Sequence, residues 1–179
     1  MTTVPLRQRR YDLIFLGFFA LNALVITYII DLEQLVIADP SNFSYPVWPP
    51  APLIDLVHWY GNTYDPLLIA RPPFWQMTIW IDVVFFGPFY FAAFYAFLRG
   101  RDWIRVPALV WAGMMLSNVL IILMEERYGA HQPPDFTRVL AANLAWLTFP
   151  LLVILRLRRD QPFSVPAPAG TVPAAAGTA

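Results

Sequence analysis

The chain has 179 residues, the size of one domain, and is 58% hydrophobic, 16% aromatic and only 13% charged; a soluble domain carries about 25% charged residues, so much of this surface is expected to face hydrocarbon. Its net charge of +0 gives no field for gathering nucleic acid, and no basic stripe is present, so nucleic-acid partners are excluded. Cys is absent, which removes disulfides and thiolate chemistry, and His58 and His131 stand far apart without ligand spacing, so neither a metal nor a cofactor is expected.

Crossing a hydrocarbon core of about 30 Å takes roughly 20 apolar residues in a helix, and four segments have that length. The first covers residues 11–30 behind Arg7, Arg9 and Arg10. At about 20 residues it exceeds a signal-peptide core of roughly 7–15, and no small-residue cleavage site follows, so it reads as a retained span. Beyond it two readings stand side by side: the helix runs on through Asp31 and Glu33 towards Ile37, or Asp31 ends it among the headgroups. Residues 39–73 are rich in Pro (Pro40, Pro46, Pro49, Pro50, Pro52) and aromatics (Phe43, Tyr45, Trp48, Trp59, Tyr60). They cannot span, but suit a folded loop at the interface, where Trp and Tyr rings prefer to sit, with residues 55–60 as a short amphipathic helix. The second span, 74–98, carries Asp82 and then Gly87-Pro88; the proline removes a donor and frees the Val84 carbonyl, predicting a kink just past Asp82. The third span, 103–124, ends at Glu125 and Glu126, expected to be solvated, and the fourth covers 139–155. Residues 1–160 then form one four-helix domain. Residues 161–179, mostly Pro, Ala, Gly, Ser and Thr, are expected to be a disordered cytoplasmic tail.

The arginines orient this all-α, four-transmembrane-helix bundle. Arg7, Arg9 and Arg10 precede the first span, Arg99, Arg101 and Arg105 bracket the turn between the second and third, and Arg156, Arg158 and Arg159 follow the fourth. An even number of spans places all three clusters on one side, the cytoplasmic one, together with both termini. The Pro- and aromatic-rich loop between the first two spans is then extracytoplasmic.

Some polar residues fall where lipid does not tolerate them. Asp82 lies about 12 Å inside its span, counted at 1.5 Å per residue from Phe74, and an acid at such depth costs roughly 2.5–3.5 kcal/mol on insertion scales, so it is expected to face the interior with a partner. Thr78, one turn earlier on the same face, is a local hydrogen-bond candidate. If the first helix continues, Asp31 sits roughly 9 Å inside its outer end, at a similar depth. Two carboxyls there cannot both ionise cheaply, so the pair is expected to hold one proton and one negative charge, an arrangement suited to a cationic amine or a developing carbocation. The plainer alternatives are a solvated Asp31 and an Asp82 that merely clamps two helices. Asn22, Thr27, Ser117, Asn118, Asn143 and Trp146 add interior polarity; singly each reads as interhelical glue worth about 0.6 kcal/mol, and together they suggest one polar-spotted cavity lined by Trp80, Phe85, Phe86, Tyr90 and Trp146.

Several strings resemble the EXPERA family of four-span membrane proteins, and its sigma-2 receptor branch more than its sterol-isomerase (emopamil-binding) branch. They are Ile26-Thr27-Tyr28-Ile29-Ile30-Asp31-Leu32, Trp59-Tyr60 with Asp65-Pro66-Leu67-Leu68 and Pro72-Pro73, Asp82-Val83-Val84-Phe85 with Pro88-Phe89, and Trp103-Ile104-Arg105 with Pro107-Ala108. The resemblance implies that Asp31 pairs with a ligand amine, that Asp82 stands where the family usually has Glu, that Asp65 is a further acid near the site, and that the chain is a homodimer. Gly87-Pro88, Glu125-x-Arg127-x-Gly129 and Asn143-x-x-Trp146 look instead like the isomerase branch. The expected function is therefore binding of a sterol-like or isoprenoid lipid, or of a cationic amphiphile, by Asp31, Asp82, Asp65, Thr27, Thr78, Asn118, Asn143 and Trp146. The alternative is a double-bond isomerase or cyclase with Asp31 and Asp82 as its acids. The membrane is the bacterial cell membrane in a prokaryote, or the endoplasmic reticulum in a eukaryote.

Overall fold

The structure, a computed structural model, describes residues 2–166. Four helices are long and apolar enough to cross a membrane: α1, Asp12–Val36; α4, Pro73–Arg99; α5, Asp102–Tyr128; and α6, Phe136–Arg156. Between α1 and α4 lie α2, Ala51–Thr63, and the single turn α3, Leu67–Ala70. The chain is a multi-pass integral membrane protein, a four-helix bundle whose first connection folds over one end.

Local chemistry explains most boundaries. Helix α1 runs past Asp31 to Val36, so the continuing reading holds and Asp31 lies within the helix. Helix α2 is longer than the expected piece because Pro50 and Pro52 preset its first turn, where a missing N–H costs nothing. The kink expected after Asp82 takes the form of a π-helical segment, Asp82–Phe86: the Pro88 ring cannot tolerate the carbonyl four residues earlier, and the ladder widens to an i→i+5 pattern instead of breaking. A second, longer π-helical segment, Asn22–Asp31, lies in α1 beside it. At this crossing Gly87 is required by close approach, since a Cβ there would sit 2.6 Å from Tyr28 Oη and 2.9 Å from Thr27 Cγ2. Helix α4 ends at Gly100, whose φ of 63° stops the helix at little steric cost. Asp135 caps α6 by accepting the Thr137 N–H at 3.0 Å.

The half of the bundle nearest the termini is solid. Phe18 stacks on Phe149 at 4.1 Å, Phe19 meets Phe97 edge-on at 5.3 Å, and Phe89 stacks on Trp111 at 5.1 Å. Lipid is as apolar as these rings, so their gain comes from close dispersion contact, not from leaving water. A polar clasp closes this end. Asp12, fully buried, receives Arg9 at 2.6 Å and Arg156 at 2.7 Å.

Past Asp160 the chain departs from the expected featureless tail. Phe163 is fully buried between the Arg9 and Arg156 guanidiniums, 5.0 and 4.6 Å from its centroid. Asp102 accepts the Phe163 N–H at 2.7 Å and also the Ser164 hydroxyl. Strand β2, Ser164–Val165, pairs antiparallel with β1, Thr2–Thr3. One aromatic side chain that two arginines can clamp is enough to order residues 161–166; the remainder of the expected tail, 167–179, lies outside the described residues.

Candidate functional site

The other half of the bundle is open. A cavity of about 480 Å³ lies between α1, α4, α5 and α6 and beneath α2 and α3, walled by Ile26, Ile29, Val57, Leu68, Trp75, Ile79, Phe86, Val119 and Ile122 among others. It begins beyond the interlocked aromatic side chains, beside the two π-helical segments. Val25 and Leu56, on its wall, are 39% and 55% exposed, so the cavity communicates with the outside. Asp31, Asp65, Thr78, Asp82, Asn118, Asn143 and Trp146 all line it.

Asp31 closes the π-helical segment of α1 and Asp82 opens that of α4. They are 8% and 9% exposed, and both line the cavity. Thr27 is fully buried off the cavity wall and donates its hydroxyl to Asp82 Oδ1 at 2.5 Å. The expected local partner, Thr78, donates instead to the Trp75 carbonyl at 2.8 Å; its own backbone satisfies it, and the facing helix supplies the donor to Asp82. Asn143 is likewise turned to its own helix, giving its amide to the Val139 carbonyl at 3.0 Å. Trp146 donates to Asn22 Oδ1 at 2.9 Å, and Asn22 is held by the Phe18 carbonyl at 2.8 Å. Of the expected aromatic lining, Phe86 and Trp146 are on the wall. Trp80 and Phe85 are 51% and 63% exposed on the outer face, and Tyr90 lies fully buried below. Ser117 also faces outward.

Asp65, at the outer end, is buried and accepts the Leu67 N–H at 3.2 Å, which caps α3. Burial raises its pKa to about 6 against the opposing pull of the Leu67 and Leu68 N–H groups.

Sequence reasoning missed two features here. Glu33, given no role from the sequence, is fully buried, with Arg71 Nη2 at 2.8 and 2.9 Å and His58 Nε2 at 2.8 Å. Arg71 also donates to the Ile37 carbonyl at 2.5 Å and the Leu68 carbonyl at 2.8 Å. The cluster ties α1, α2 and the α3–α4 turn together as the frame around the outer end. The signal was available: Arg71 is the one arginine within the loop of residues 39–73. The second feature is Glu126, expected in solvent but 1% exposed, whereas its neighbour Glu125 does reach the edge and accepts from His131 at 2.7 Å. Among the described residues no group of three or more metal-ligating side chains is placed to hold an ion.

Comparison with known proteins adds the lineage. The EXPERA (EXPanded EBP superfamily) family model matches residues 52–157. The chain is similar to Sigma intracellular receptor 2 of Xenopus tropicalis, 29% identical over 120 residues that cover 66% of each chain. It is 31% identical to that of Macaca fascicularis over 122 residues, 67% of this chain and 64% of the other. For the Homo sapiens protein the figures are 32% over 110 residues, 60% and 58%. The chain thus spans 58–66% of the length of these relatives. The family match takes in α4, α5 and α6 and most of α2, more than half of the whole, and the chain belongs to the EXPERA family.

Proposed function

We propose that this protein binds sterol-like or isoprenoid lipids and cationic amphiphiles within the membrane, with Asp31 and Asp82 as the polar end of an apolar pocket reached sideways from the bilayer. What supports the reading is that two buried carboxyls, one from each of two adjacent helices, line one largely apolar cavity. Few structural roles justify two acids at that depth. One proton shared between them leaves a single negative charge for an ammonium, and Thr27 fixes Asp82 from behind. The name borne by the relatives, an intracellular receptor, agrees with a ligand-binding role. The arginine distribution supports cytoplasmic termini, and the family resemblance supports a homodimer.

In Asp31→Asn, affinity for a long-chain amine in detergent or nanodiscs should fall about 10- to 100-fold, the worth of a charge-assisted hydrogen bond, while the melting temperature is kept. Undiminished amine affinity would count against the pocket. The same two acids on facing helices could also donate and accept the protons of a double-bond shift, the second reading. Protein incubated with sterols in deuterated water would then yield product labelled at the shifted carbon, and unlabelled, unchanged sterol would end that reading.

A further inference from the structure

The roof of the cavity is held differently from its walls. Helix α2 places Leu53, Leu56, Val57 and Tyr60 on the cavity, so much of the apolar stripe that would seat it in a core lies over a space instead. Ile54 is fully buried on the inner side, while Leu56 and Trp59 are exposed. At about 100° per residue, His58 and Leu53 stand at opposite edges of this stripe, about 140° apart. The His58 edge is tied to α1, where Nε2 lies 2.8 Å from Glu33 Oε1 and the Phe43 ring backs the imidazole edge-on at 5.0 Å. Just before α2, Trp48 makes a second tie to α1, donating its indole N–H to the Tyr28 carbonyl at 2.7 Å. Just after it, the Arg138 guanidinium lies over the Tyr64 ring at 5.2 Å. Among the described residues no hydrogen bond or ion pair joins α2 itself to α4, α5 or α6. The untied edge is the one that carries Leu56 to the mouth, where Val25 of α1 is also exposed.

The tie through His58 is built to let go. Glu33 keeps both oxygens on Arg71 Nη2, at 2.8 and 2.9 Å, whether or not His58 is present. The His58 side chain is 13% exposed, so water is at hand for its freed N–H. Release therefore leaves no bare buried charge and exchanges one hydrogen bond for hydration. Resting on the cavity as the ligand site, we propose that α2 is the movable lip of its mouth and that His58, latched on the Glu33–Arg71 pair, sets how fast ligand enters and leaves. A lip that must lift before exchange acts on both directions alike. The latch is the same in the empty and the filled protein, so weakening it multiplies association and dissociation by one factor and leaves affinity as it was.

The test needs a bulky, rigid probe, since a thin alkyl chain would slip through the standing gap. A tritiated sterol bearing a primary amine suits, with association and dissociation followed on the full chain in nanodiscs. His58→Leu should raise both rate constants about tenfold, the worth of one hydrogen bond of ordinary strength, with Kd kept. His58→Gln, whose side-chain amide keeps a donor, should return both rates towards those of the parent. Trp48→Phe removes the other tie to α1 at a residue off the cavity wall, and it should also raise both rates, which reads the same lip should His58→Leu fail to fold. Parent rates in either His58→Leu or Trp48→Phe overturn the proposal. So does a change confined to one of the two rates, or a His58→Gln protein as fast as His58→Leu. Failure of the underlying pocket reads differently, as probe affinity that Asp31→Asn leaves untouched.

Discussion

Arg71→Met should destabilise the protein more than any substitution of an exposed arginine, and the size follows from the contacts it removes. Arg71 is 4% exposed and Glu33 fully buried, joined by two hydrogen bonds of 2.8 and 2.9 Å. Removing one partner of a buried ion pair leaves the other uncompensated, at a cost of about 3–5 kcal/mol. His58, 2.8 Å from Glu33 Oε1, keeps one donor in place and points to the lower part of that range. Two carbonyls, of Ile37 and Leu68, also lose their donor. Methionine is chosen because it fills the same volume; the backbone at Arg71, with φ 45°, stays in the left-handed region in either case. Thermal melting in a fixed detergent should register a fall of roughly 6–20 °C, taking about 2–4 °C per kcal/mol for a chain of this size. The double variant Glu33→Gln, Arg71→Met removes both charges and should recover most of the loss, as replaced buried pairs commonly do. A single variant within about 2 °C of the parent, or a double variant no better than the single, would refute the claim that the buried pair frames the outer end.

Three other outcomes follow from the same geometry. Gly87→Ala places a methyl against Tyr28 and Thr27 at the α1–α4 crossing, which should cost about 1–3 kcal/mol by overpacking and weaken amine binding by shifting Thr27 off Asp82; a neutral effect on both measurements would show that the helices part easily. Asp65, raised to about 6 from about 3.9 in an unfolded chain, holds its proton more tightly when folded. Its contribution is fully present below about pH 4 and is lost as pH rises through about 6, by up to roughly 3 kcal/mol. Asp65→Asn should therefore flatten the melting profile between about pH 4 and 6 and gain stability at neutral pH, and an unchanged profile would mean that the carboxyl is not buried as described. Trp146→Phe frees Asn22 Oδ1, 2.9 Å from the indole N–H; about 1 kcal/mol of melting stability should be lost, with restoration in Asn22→Leu, Trp146→Phe.

Four spans were legible because each is a run of about 20 apolar residues, and length against bilayer thickness needs no tertiary knowledge. Asp82 was legible for the same reason, as the acid in such a run. What escaped was non-local pairing. The two acids Asp31 and Glu33 look like the solvated end of a helix until Arg71, 38 residues on, is seen to neutralise the second. Thr78 is the nearer hydroxyl in sequence, yet Thr27, 55 residues away, holds Asp82. Glu125 and Glu126 are equivalent in composition, but a helix turns about 100° between them, and only the position of α5 in the bundle decides which one is buried.

The polar face of α1 has a cause that a regular helical wheel conceals. Asn22, Thr27 and Asp31 are all buried, yet at 3.6 residues per turn they would point at roughly 0°, 140° and 180°. No single face could hold them. With the i→i+5 ladder seen from Asn22 to Asp31, a turn takes about 4.4 residues, and the same three fall near roughly 0°, 50° and 15°. Ala23, also buried, falls near roughly 80°, whereas the exposed Leu24 and Val25 fall near roughly 165° and 245°. The widened segment thus gathers the group that orients Trp146, the group that holds Asp82 and the acid at the cavity wall onto one stripe. It does so where the π-helical turn of α4 brings Asp82 to face them. Each such turn weakens regular backbone hydrogen bonding, a cost that a helix serving only as an anchor has no reason to carry. The paired widenings therefore go together, as one arrangement that brings Asn22, Thr27, Asp31 and Asp82 onto facing sides of the α1–α4 crossing.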